Sequence, residues 1–202
     1  TRYADRSRGL GDVYKRQPQD LTGKLLIAMP GMGDPRFEHS VVFLCAHSDE
    51  GAMGIIVNKR VPEIGLDDLL AQLEIDTGDG SHDHVVHFGG PVEGARGFVL
   101  HTGDETDYPA TLRVDEGFAM TATRDILEDI ARGDGPQKTL TALGSSGWGP
   151  GQLEDELRQN AWLTVAADTA IVFDPDDGAK WVRALKSLGI DPHLLSADGG
   201  RA

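Results

Sequence analysis

The sequence predicts an α+β fold, a single domain built on a mixed or antiparallel sheet. Three observations support this. Strand-like segments outnumber helix-like ones, two pairs of strands are joined by short turns and so must run antiparallel, and no repeat or linker divides the chain. With 202 residues, 39% hydrophobic and 26% charged, the chain can bury a sizeable core.

The elements follow in order. Lys24 to Met29 is a short apolar strand ended by Pro30-Gly31. Phe37 to His47 is a second, and its stretch Val41 to Cys45 is apolar without alternation, so both faces are expected to be buried. Ser48, Asp49 and Gly51 supply a four- or five-residue turn, and Met53 to Asn58 returns as the other arm of a hairpin. Leu66, Leu69, Leu70 and Leu73 recur at helical spacing. Val85 to Phe88 and Phe98 to His101 are strands, with "GGPVEGARG" read as a glycine-rich turn between them. Leu112 to Val114 and Phe118 to Met120 form a second hairpin around Asp115-Glu116-Gly117. Thr123 is expected to cap a helix from Arg124 to Arg132, with Gly133 ending it. Lys138 to Leu143 is a strand, "GSSGWGPG" a glycine loop, Gln152 to Asn160 a helix and Trp162 to Ala166 a strand. A last helix spans Ala179 to Leu188, before Gly189.

The first seventeen residues read differently. "SRGLGDVYKRQ", Ser7 to Gln17, lacks any apolar period and matches the translation of a transposon-based sequencing adaptor. Residues 1–17 are therefore expected to be a library artefact, disordered and outside the fold, with the domain proper at 18–202. The chain carries 19 basic and 33 acidic residues, a net charge of −14, and five of the basic residues fall in that tail. So acidic a body repels a phosphate backbone, which argues against direct nucleic-acid binding. No apolar run approaches the roughly 20 residues that span a bilayer, so no membrane partner is expected. A single cysteine cannot form an internal disulfide, which fits a cytoplasmic setting.

Each chemically suggestive stretch has a structural reading beside it. Cys45 lies in the most apolar strand and reads as a buried thiol. His39 and His47 share its parity and are expected to be solvated strand ends. His82 and His84 alternate onto one face, as a zinc site would need, but His87 has the opposite parity and no fourth ligand is near, so no metal is expected. "LGSSGWGPGQLEDEL" runs strand, glycines, helix, yet it matches neither a dinucleotide fingerprint, a P-loop nor a nucleophile elbow. Glu154 and Asp155 in the first helical turn would repel an added anion. His101 ends an apolar strand and reads as a satisfied core histidine. No catalytic residue and no cofactor follow from these patterns.

In order, "LIAMPGMGDPRFEHSVVFLCAH", "GAMGIIVNK", "GGPV", "GFVLHT", "LGSSGWGPGQLEDEL" and "NAWLT" resemble the YqgE/AlgH family of bacterial proteins over about Leu21 to Ile190. Ser145 departs from the pattern, which has an aromatic there. The resemblance implies a bifurcated or barrel-like sheet wrapped by helices, in the cytosol. Members have been called transcriptional regulators of exopolysaccharide genes, but no enzyme activity is implied. Two expectations follow. The chain is a non-catalytic binding or interaction protein with a protein or small-molecule partner. Alternatively it is an enzyme or small-molecule sensor with its site at the glycine-rich loops. That site would gather Asn58, Lys59, Gly89, Gly90, His101, Ser146, Gly147 and Trp148.

Overall fold

The computed structural model describes residues 19–78, 84–103 and 107–195. The tail at 1–17 and His82 lie outside them. The described strands are β1 (Lys24–Ala28), β2 (Val41–Ser48), β3 (Gly51–Ile56), β4 (Arg60–Gly65), β5 (Val85–Phe88), β6 (Val92–Thr102), β7 (Thr111–Arg113), β8 (Phe118–Thr121), β9 (Thr139–Trp148) and β10 (Trp162–Ala166). The helices are α1 (Leu66–Gln72), α2 (Arg124–Arg132), α3 (Gln152–Arg158), α4 (Thr169–Val172) and α5 (Asp177–Ser187). The strands form one curled, mostly antiparallel sheet in the order β10-β1-β2-β3-β9-β6-β8-β7, with β5 and β4 branching from β9.

The branch has a definite origin. Along one edge of β9, Thr141–Leu143 runs parallel to Val86–Phe88 of β5, while Ser146–Trp148 runs antiparallel to Ala52–Gly54 of β3. The other edge pairs with β6 from Thr139 to Ser145, with a bulge between Val92 and Gly97. Gly144 sits where the sheet forks, at φ +75°, and a Cβ there would collide with the carbonyl of Gly90. Gly90, at φ +148°, presses as closely on the backbone of Ser145. Only glycine reconciles left-handed backbone with such approach.

Both faces of β1 and β2 are buried. Leu25, Ile27, Val41, Phe43 and Cys45 point into a core closed by Val172, Trp181 and Leu185 of α4 and α5. The alternate residues Leu26, Ala28, Val42 and Leu44 pack against Leu153 of α3, Trp148 and Trp162. A third cluster joins α1 and α2 over Val86 and Val99. The continuous apolar run in β2 is thus explained by a strand between two layers.

Several boundaries differ from expectation. Phe37 closes a short 3-10 turn, Pro35–Phe37, whose start Asp34 caps, and His39 has φ +54°, so β2 begins only at Val41. The β2–β3 turn is the tight Asp49-Glu50 connection, since Ser48 pairs with Gly51. "VEGARG" belongs to β6 as a bulged, exposed stretch rather than to a turn. Gly144 to Trp148 likewise extends β9 rather than forming a loop. Thr123 precedes α2 without a capping bond from its side chain, because its hydroxyl donates to the carbonyl of Pro109, 3.2 Å away. β4 carries Pro62, which a sheet edge tolerates and which hid the strand in the sequence.

Candidate functional site

The fork gathers most of the glycine-loop residues. The carbonyl of Gly89 accepts from the Ile56 N–H at 2.9 Å and from the Ser146 hydroxyl at 3.1 Å. Phe88 N–H donates to the carbonyl of Lys59 at 2.8 Å, so the Asn58-Lys59 turn abuts the same junction. Asn58 stitches the turn closed: its Oδ1 accepts from Val41 N–H at 2.9 Å and its Nδ2 donates to the carbonyl of His39 at 2.8 Å. The Lys59 ammonium donates to the carbonyl of Arg36 at 2.8 Å, and partial burial lowers its pKa. Gly89, Gly90 and Ser146 are therefore packed together, and the Gly89 carbonyl and the Ser146 hydroxyl are used within the chain. Ser145, the departure from the family pattern, is buried in the same junction.

Gly147 and Trp148 continue β9 out of the fork and form one wall of a cleft of about 350 Å³, with Phe37, Pro91, Val92 and Trp162 around it. Trp148 and Trp162 meet edge to face, with centroids 6.0 Å apart. Both indole N–H groups donate to Oε2 of Glu156, at 2.9 and 2.7 Å, while its Oε1 accepts from Gln152. Asp34 in the same wall is paired with Arg36 at 2.7 Å. Lys59 does not line the cleft and reaches it only through its bond to the Arg36 backbone.

His101 stands apart on β6, buried. A carbonyl only accepts, so its Nδ1 carries the proton given to the Thr102 oxygen at 2.8 Å, and Nε2 is hydrogen-bonded to Thr121 Oγ1 at 2.8 Å. The Thr121 hydroxyl is in turn hydrogen-bonded to that of Thr111 at 2.7 Å. His101 does not line the cleft that Trp148 walls. Cys45 is enclosed, and burial pushes its thiol up to about 12, which suppresses the reactive thiolate. His47 is not a solvated strand end: its side chain is 3% exposed, Nδ1 accepts from Leu21 N–H at 3.0 Å and Nε2 lies 2.6 Å from Glu154. It does stand near the end of β2, but a bulge after Leu44 shifts its parity and Glu154 of α3 meets it there in place of solvent. No group of three or more possible metal ligands occurs among the described residues.

A second cluster escaped the sequence reading. Asp177, at the first turn of α5, accepts from His87 Nε2 at 3.0 Å, Lys180 Nζ at 2.7 Å and Arg60 Nε at 2.6 Å. Lys180 is 1% exposed and also donates to the carbonyl of Val57 at 2.7 Å. Burial opposes the Asp177 charge, but the hydrogen bonds from His87, Lys180 and Arg60 outweigh it and hold the carboxyl well below its usual range. Burial likewise lowers the Lys180 ammonium, against the attraction of Asp177. The Nδ1 atom of His87 is buried with no partner among the described residues, a defect that costs about 1–3 kcal/mol. These four side chains line a cavity of about 650 Å³. The only signal in the sequence was His87 itself, which alternation placed opposite His84.

Residues 25–193 match the model of the family described as AlgH-like. The chain belongs to the AlgH-like family. It is 57% identical over 189 residues to a UPF0301 protein of Paracoccus denitrificans, covering 92% of this chain and 99% of the relative. A UPF0301 protein of Ruegeria pomeroyi is 59% identical, covering 91% of this chain and 100% of the relative. The solution structure of the AlgH protein from Pseudomonas aeruginosa superposes with a TM-score of 0.73 at 41% identity, covering 92% of this chain and 98% of that one. A crystal structure from Corynebacterium diphtheriae, 19% identical, shares the fold with a TM-score of 0.70, covering 88% of this chain and 90% of that one. Among the described residues, no helix is long and apolar enough to cross a membrane.

Proposed function

We propose that the chain is a non-catalytic binding protein whose aromatic cleft takes an apolar side chain of a protein partner. One observation carries this reading: the charged groups in the wall are already committed. Glu156 serves both indoles and Gln152, and Asp34 serves Arg36, which leaves Phe37, Val92, Trp148 and Trp162 to define an apolar hollow. No serine, cysteine, histidine or lysine lines it, and its two carboxylates, Asp34 and Glu156, are held by Arg36 and by the indoles and Gln152. A cleft of this size suits one anchoring residue at an interface.

A net charge of −14 disfavours DNA as the partner, so a regulatory role would act through protein contact. The buried, unpaired Cys45 fits a reducing, cytoplasmic setting. The test is selection of binders from a random peptide library, read by quenching of tryptophan fluorescence. Enriched peptides should share an aromatic or branched aliphatic anchor. Gly147→Leu, whose side chain would fill the cleft from an exposed position, should abolish their binding and leave the melting temperature unchanged. Peptides that bind this variant as tightly as the native chain would overturn the reading.

A further inference from the structure

The larger cavity lies at the other end of β9, against Thr139–Thr141, and nothing in the aromatic-cleft reading uses it. Its charges do not balance internally. Asp174 is spent on Arg183, and Asp177 on three donors. Lys180 is consumed by Asp177 and the carbonyl of Val57. Arg60 is left as the surplus cation. It gives Nε to Asp177 and one terminal nitrogen to the carbonyl of Pro175, yet its side chain remains 49% exposed. Lys138 and His84 add exposed basic groups at the rim, in a protein otherwise dominated by acid.

His87 supplies the second, independent pointer. A carboxylate only accepts, so Nε2 carries a proton toward Asp177. Nδ1 of the same ring, which lines the cavity, is buried with no partner among the described residues. Ile130, Leu140 and Phe173 complete the wall with apolar surface.

We infer that this cavity binds a small hydroxylated organic anion, with the anionic group on Arg60, a hydroxyl, which can donate or accept, as the partner of His87 Nδ1, and the carbon skeleton against Ile130, Leu140 and Phe173. The volume of about 650 Å³ falls within the range of metabolite sites. Phosphate and carboxylate satisfy Arg60 alike, so both are tested.

The full chain is titrated calorimetrically with glycerol 3-phosphate, glycerate, propyl phosphate, inorganic phosphate and glycerol. At least one of the two hydroxylated anions should bind roughly tenfold or more tighter than propyl phosphate, inorganic phosphate or glycerol. The stronger of the two identifies the anionic group. Arg60→Gln should weaken it by a similar factor. In long-range proton–nitrogen spectra of the native chain, the Nδ1 resonance of His87 should move with the hydroxylated anion and stay in place with propyl phosphate. This second readout needs no variant and survives if Arg60→Gln fails to fold. Gly147→Leu, which blocks only the aromatic cleft, should bind these anions normally. The inference is overturned if neither hydroxylated anion binds at millimolar concentration, if His87 Nδ1 does not respond at saturation, or if Gly147→Leu abolishes binding.

Discussion

The two ends of β9 make opposite use of their residues. At its C-terminal end, a conspicuous run of glycine and serine is absorbed by the fork of the sheet, where Gly90 and Gly144 let the backbones approach and Ser146 bonds to the carbonyl of Gly89. At its N-terminal end, ordinary residues converge on a buried carboxylate, with Arg60 separated from Asp177 by 117 positions and His87 by 90. Much of a dense local motif can thus serve backbone geometry, with only Gly147 and Trp148 left to line a cleft. Polar chemistry can be assembled instead from single residues scattered along the chain.

The comparison breaks most sharply within the motif itself. Gly144→Ala should prevent folding or cost more than about 4 kcal/mol, because a Cβ meets the Gly90 carbonyl at a left-handed φ. Gly147→Ala, three residues on, should change stability by less than about 1 kcal/mol, since its Cβ would lie 3.7 Å from Val92. Urea denaturation measures both. Equal losses would show that the fork is not what the glycines serve.

The next effect belongs to the other end. Asp177→Asn should cost about 3 kcal/mol by leaving Lys180 buried without its counter-charge. The pH dependence follows from the lowered carboxyl. Its stabilisation is complete above the unfolded value of about 3.9 and drains away as pH falls through the native one. The gap in urea midpoint between wild type and variant should therefore be full at neutral pH and shrink below about pH 4. A gap that is constant with pH would remove the charge from the explanation.

Smaller effects sharpen the contrast. Ser146→Ala should cost about 1 kcal/mol, the loss of one buried hydroxyl bond to Gly89, with no change in peptide or anion binding. Smallest of all, Cys45 should resist thiol reagents in the folded state and react only as the chain unfolds, because burial holds its thiol near 12. Rapid labelling without unfolding would show that the β2 layer opens locally.

Much of the architecture was legible because it rests on local pattern. The unbroken run Val41 to Cys45 announced a strand buried on both faces, and its two sets of side chains do enter separate cores. The hairpin at Asp115 to Gly117 and the stop at Gly133, φ +81°, were equally readable. The site was less so. Gly147 and Trp148 do line a cleft, but Phe37 and Trp162 come to it from elsewhere in the chain. Strand alternation marked His87 as facing away from His84, yet it could not say that Asp177 and Lys180 would be waiting there.

The sequence by itself determined the family, the α+β class, the acidic surface and the burial of Cys45, since these follow from composition, short-range period and ordered motifs. Tertiary structure alone decided that β9 changes partners at Gly144, and that one indole-bound carboxylate, Glu156, closes the aromatic cleft. It also decided that a carboxylate, a lysine, an arginine and a histidine from three distant segments share one cavity. The physical reason is reach. Propensity and alternation act over a few residues, whereas a sheet fork and a buried charge cluster are set by which distant strands lie side by side.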